Sequence, residues 1–84
     1  MIVYILATCV PGNENDVISK IKALSGVVEV NGIMGKYDIF IKISADSPLN
    51  VDSAITKIRN VPHITSTFTM YAIYGQGGTI DNEK

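Results

Sequence analysis

Gly32-Ile33-Met34-Gly35-Lys36-Tyr37-Asp38-Ile39-Phe40-Ile41-Lys42-Ile43-Ser44 is the stretch from which the architecture can be built outward. Two glycines bracket a short connection, and then a strict alternation begins. Ile39, Ile41 and Ile43 point one way, Phe40 and Lys42 the other, which is the period of a strand with one buried face. The spacing predicts a strand from Tyr37 to Ser44, paired as a hairpin with the preceding strand, Val27 to Asn31.

Downstream, Ser47-Pro48 marks a helix start, with serine at the cap and proline in the first turn. Val51, Ala54, Ile55 and Ile58 give its apolar stripe, and Val61-Pro62 ends it. A last strand, rich in threonine and tyrosine, is expected from Ile64 to Tyr74. Upstream of the hairpin, Val17, Ile18, Ile21 and Leu24 form another helical stripe, stopped by Ser25-Gly26. Asn13 is expected to cap this helix with its side chain, and Glu14 and Asp16 suit the positive end of the dipole. Ile2 to Thr8 is a continuous apolar run and reads as a central strand.

The element order is β-α-β-β-α-β, and the chain carries a faint internal repeat. Pro11 maps on Pro48, Asn13 on Asn50, Ile18 on Ile55, Lys20 on Lys57, Ile21 on Ile58, Lys22 on Arg59 and Val27 on Ile64. Two similar βαβ halves are what an α+β, ferredoxin-like sandwich needs, with two helices on one face of a four-stranded antiparallel sheet. Residues 1–75 are expected to form this one domain, and 76–84 a flexible glycine-rich, polar tail.

Composition limits what such a domain can do. The chain has 84 residues, 46% of them hydrophobic, and a formal net charge of -1. That balance argues against direct nucleic-acid binding and against a polybasic membrane anchor. The opening apolar run is far shorter than the ~20 residues of a membrane span. It lacks the basic start and cleavage site of a signal peptide. A lone cysteine, Cys9, makes no internal disulfide, so a cytoplasmic location is expected. For this mass, folding buries about 63% of the chain's surface, which is a marginal core. Two helices cover only one sheet face, yet the strands are apolar on both. The other face is therefore expected to pair with the same face of a second copy.

Catalysis finds little support. His63 follows Pro62 in a loop with no carboxylate or serine at a triad spacing, and Cys9 has no basic neighbour to activate it. No metal-ligand spacing occurs, and neither a cofactor nor a metal is expected. A copper-chaperone variant of the topology needs a CxxC in the first loop, which here reads Thr8-Cys9-Val10-Pro11-Gly12. An RNA-recognition variant needs a basic, glycine-rich aromatic strand, which is also lacking.

Two segments carry possible binding chemistry. In the connection, Asp38 beside exposed turn amides either holds an ammonium group or caps the turn. In the last strand, Thr65, Thr67 and Thr69 are read as one row of hydroxyls. That row is either plain strand surface or a set of donors and acceptors suited to a small zwitterion.

In this order and frame, these segments resemble the ligand-binding and oligomerisation (RAM) domain of the Lrp/AsnC feast/famine regulators. The resemblance rests on Ser25-Gly26-Val27-Val28-Glu29, on the G-x-Y-D turn within Gly32 to Asp38, and on the S-T-x-T strand within His63 to Thr69. It runs from Ile2 to Tyr74. It implies a non-enzymatic module, linked to transcription regulation, that pairs through its sheets and assembles further, to an octamer or decamer. An effector, typically an amino acid, would bind between dimers. Gly35, Tyr37 and Asp38 of the turn and Thr67 and Thr69 of the last strand would line that site, with Asp38 on the ligand ammonium. Family members usually carry an N-terminal helix-turn-helix, whereas this sequence opens on the first strand. A stand-alone form is therefore expected, acting on or with full-length Lrp/AsnC regulators. An ACT-like regulatory module and a small dimeric monooxygenase-like enzyme are the competing readings.

Overall fold

The computed structural model describes residues 1–77, so the tail expected over 76–84 falls almost wholly outside the described residues. The elements are β1 (Ile2–Cys9), α1 (Glu14–Lys22), β2 (Val27–Gly32), β3 (Ile39–Ser44), α2 (Pro48–Arg59) and β4 (Ile64–Tyr71). The strands form one sheet in the order β2-β3-β1-β4, antiparallel at every pairing. This is the ferredoxin-like βαββαβ sandwich expected from the sequence, with both helices on one face.

The isoleucine alternation of β3 does what its period demands. Ile39, Ile41 and Ile43 are completely buried, as are Val3, Ile5 and Ala7 of β1 beside them. Val17 and Ile21 of α1 and Val51, Ala54 and Ile58 of α2 close over this layer. Removing each isoleucine-sized side chain from water contributes about 1.5–3 kcal/mol. Ser47 caps α2 as expected, its Oγ accepting the Asn50 N–H at 3.2 Å.

Three local expectations are corrected. Asn13 makes no side-chain cap bond, because its backbone (φ -106°, ψ 9°) is not the extended form that aims a cap side chain back at the helix. Glu14 instead reaches back to accept the Gly12 N–H at 3.0 Å. β4 ends at Tyr71, three residues short of Tyr74. Tyr37 and Asp38 also lie before β3, not inside it. In a continued ladder the Cys9 N–H would meet the Tyr37 carbonyl. Here the Asp38 carboxylate accepts it at 3.0 Å, a local side-chain bond that replaces the ladder and ends the strand.

The internal repeat survives in three dimensions. Each helix leads into an edge strand, and each edge strand carries a bulge at the same place in its half. On β2, Val27 pairs with Ile43 and Glu29 with Lys42, leaving Val28 as the extra residue. On β4, Ile64 pairs with Cys9 and Ser66 with Thr8, leaving Thr65 extra.

Candidate functional site

The face of the sheet away from the helices is built from the other half of each alternation. Leu6 pairs with Phe40 on one side and Phe68 on the other, and Tyr4 pairs with Lys42 and Met70. Tyr4 and Phe40 rings lie 5.7 Å apart and tilted, while Phe68 is 52% exposed. The β2 side of this face is polar, with Glu29 and Lys42 as ladder partners. The centre is therefore apolar and, among the described residues, uncovered by any helix or strand, and its β2 border is charged.

The connection between β2 and β3 stands at one end of that face. The Ile33 N–H donates to the Asp38 carbonyl, and the Asp38 N–H donates to the Ala7 carbonyl, both at 2.9 Å. These bonds pin the base of the turn and leave its tip free. Gly35 sits at the tip with φ +141°, where a side chain is strained, and Met34 beside it is wholly exposed. Tyr37 turns back over the open face and stacks on Phe68, with ring centroids 6.3 Å apart and planes 15° off parallel.

Asp38 is thus partly consumed by structure. One carboxylate oxygen is held by the Cys9 N–H, which satisfies the turn-capping role. Its charge also reaches the neighbouring thiol. Burial first, then the negative charges of Asp38 and Glu14, push the Cys9 thiol above its ordinary value of 9.0. A thiol shifted upward is a packed side chain, not an activated nucleophile. His63 is exposed in the turn before β4, with φ 76°, and its carbonyl accepts the Val10 N–H at 2.9 Å.

The threonine row divides. Thr67 pairs with Ala7 and Thr69 with Ile5, so both lie on the helix side of β4. Thr65 does not join them. The bulge turns it, and its hydroxyl meets that of Thr8 at 2.6 Å, while Ser66 meets the same Thr8 oxygen at 2.5 Å. A bulge inserts one residue and reverses the facing of what precedes it.

The turn residues and the β4 threonines among the five candidates meet through β1 and through one aromatic stack. Asp38 and Thr67 both adjoin Ala7, one on each side of β1. Tyr37 reaches β4 through Phe68, between Thr67 and Thr69 in sequence but on the opposite face. Thr67 also lines a cleft of about 380 Å³ with Arg59, Ile64, Thr65 and Ser66. Arg59, a guanidinium beside three hydroxyls, is a cation for a carboxylate that the sequence reading used only to mark the repeat. The signal was its place in the last turn of α2, directly before the threonine strand. The equivalent cleft in the first half, about 230 Å³, is bordered by Lys22 and Val27 to Val30. The repeat has thus made one position twice, hydroxyl-lined on β4 and mostly apolar on β2. Among the described residues, no group of His, Cys, Asp and Glu is placed to hold a metal ion. No helix there is long and apolar enough to cross a membrane.

Comparison with known proteins bears on this geometry. The profile of a family described as the Lrp/AsnC ligand binding domain matches residues 2–74. The solved structure of hypothetical protein PHS023 from Pyrococcus horikoshii is 36% identical, with a TM-score of 0.80, covering 90% of this chain and 94% of that one. AsnC from E. coli has a TM-score of 0.81 at 24% identity, covering 92% of this chain and 53% of AsnC, a likeness of fold. Among curated proteins, a homocitrate synthase from Sulfurisphaera tokodaii is 38% identical over 53 residues, 63% of this chain and 12% of the synthase. The chain spans only a small part of that curated relative.

Proposed function

This chain belongs to the Lrp/AsnC ligand-binding domain family, and we propose that residues 1–75 act as an amino-acid-sensing assembly module within it. As a member of that family it is a regulatory ligand-binding module. The finer reading has two copies joined through the open sheet face, and dimers assembled further, to an octamer or decamer. An amino acid lodges where the turn of one dimer meets the next. Asp38 keeps one carboxylate oxygen on Cys9 and offers the other to the ligand ammonium. Thr67, Thr69 and Arg59 supply hydroxyls and a cation for the carboxylate, and the Gly35 tip and Tyr37 shape the approach. Asp38 and Thr67 flank Ala7 from opposite sides of β1, and a second copy completes the site between them.

The observation that carries this reading is the apolar centre of the open face, Tyr4, Leu6, Phe40, Phe68 and Met70, with the pinned turn at its end. A face of this kind calls for a partner surface. A ligand seated between dimers then favours the assembly it fits, by no more than its differential affinity for that state. The module passes its signal by changing which assembly forms, in the cytoplasm and together with full-length Lrp/AsnC regulators. The ACT-like alternative needs the sheets to join edge to edge, and the bulges on both border strands weigh against it.

Sedimentation combined with a thermal-shift screen of the standard amino acids tests the reading. The expected result is an assembly of paired dimers and a rise in melting temperature with a narrow set of amino acids. A monomer at micromolar concentration, indifferent to every amino acid, overturns it.

A further inference from the structure

The two ends of the β2–β3 turn are held unequally. At the base, Asp38 is fixed three times. Its N–H donates to the Ala7 carbonyl, its carbonyl accepts the Ile33 N–H, and its carboxylate accepts the Cys9 N–H. At the tip, a Cβ on Gly35 would meet nothing within 4 Å, and Met34 is wholly exposed. Tyr37 stands between the two, next to the fixed Asp38 and half-buried. A tip with so few neighbours takes its order from the residue that ties it down.

The ring of that residue lies on β4. Tyr37 and Phe68 are 15° from parallel, with centroids 6.3 Å apart. Stacked planes in contact stand about 3.5–4 Å apart, so the rings are displaced sideways by roughly 5 Å and overlap only at an edge. Phe68 accordingly stays 52% exposed. Tyr37 does not shield the open face. It prolongs that face, from Leu6 and Phe68 on the sheet out to the turn.

We infer that Tyr37 is a positioning residue: through its stack on Phe68 it fixes the tip of the turn when a second copy covers the open face. The inference rests on the open-face pairing proposed above. A second copy that packs on the exposed part of Phe68 meets the Tyr37 ring in the same surface and confines it. Lys36 and Gly35, joined to Tyr37, then lose freedom. In the single chain the stack has an open side and the tip moves. The coupling runs both ways, so whatever fixes the tip also strengthens pairing.

A nitroxide spin label at the tip tests this. It is carried by Met34→Cys in a Cys9→Ala background, and sedimentation gives the fraction of paired chains at each concentration. As copies pair, the label's spectrum is expected to broaden. With Tyr37→Ala added, pairing should weaken by no more than about tenfold. At an equal fraction of paired chains the spectrum should then stay narrow. Tyr37→Leu, apolar but without a ring face, should behave as Tyr37→Ala does and guards against local unfolding. Tyr37→Phe keeps the ring and should restore the broadening. Equal broadening in paired Tyr37→Ala and Tyr37→Leu chains, or none in Tyr37→Phe, overturns the inference and leaves the pairing standing. A chain that stays single at every concentration overturns the pairing and the inference with it.

Discussion

Asp38 accepts the Cys9 backbone N–H at 3.0 Å, so a residue expected to serve a ligand also closes the ladder between β1 and the start of β3. Asp38→Ala leaves a part-buried donor without its acceptor, a loss of about 1–3 kcal/mol. Asp38→Asn keeps an oxygen in place and should cost clearly less. Urea unfolding of both variants checks the order. Asp38→Asn is therefore the informative variant for binding, because it removes the charge while sparing the turn.

The buried thiol beside Asp38 sets an alkaline limit. Its folded value lies above the unfolded one of 9.0, so the neutral form is favoured in the folded protein. This contribution is complete below the unfolded value. It declines as pH rises past 9.0 and is lost once pH exceeds the folded value, because the unfolded chain releases the proton first. Stability measured by denaturant between neutral and strongly alkaline pH should fall along this course. Cys9→Ala should remove that part of the slope, and iodoacetamide should label the native thiol slowly.

Two helix starts with similar residues should respond differently. Ser47 bonds the Asn50 N–H, so Ser47→Ala should cost about 1 kcal/mol. Asn13 makes no such bond, and Asn13→Ala should fall within about 0.5 kcal/mol of the natural chain. Thermal unfolding of the pair decides it.

Phe68 is half exposed at the open face and stacks only on Tyr37, so a charge there is tolerated by the single chain. Phe68→Asp should preserve the circular dichroism spectrum while reducing the sedimenting species to a monomer. An unchanged assembly would show that the copies meet elsewhere.

How far the sequence led depended on the kind of signal. The alternation at Ile39, Ile41 and Ile43 and the stripes of both helices were legible because burial follows a fixed period. Ser47-Pro48 was legible because cap and first turn require those residue types. Asn13 has a capping residue type too, but its backbone torsion, fixed by the turn around Pro11-Gly12, takes the side chain out of reach. The facing of Thr65 was hidden for a related reason. A bulge adds one residue to one strand without a compositional mark, and Thr65, the added residue, leaves the row. Arg59 was hidden because its neighbourhood joins a helix end to a strand start, a proximity set by how the two elements pack.

The paired irregularities at Val28 and Thr65 have a wider consequence. Both outer margins of the sheet are kinked at matching places, so a neighbour meets an interrupted hydrogen-bonding edge on either side. Growth by endless strand addition, the route to fibres, is disfavoured at both margins at once. What remains open to a chain so rich in apolar surface is stacking, which can end in a closed particle of fixed size.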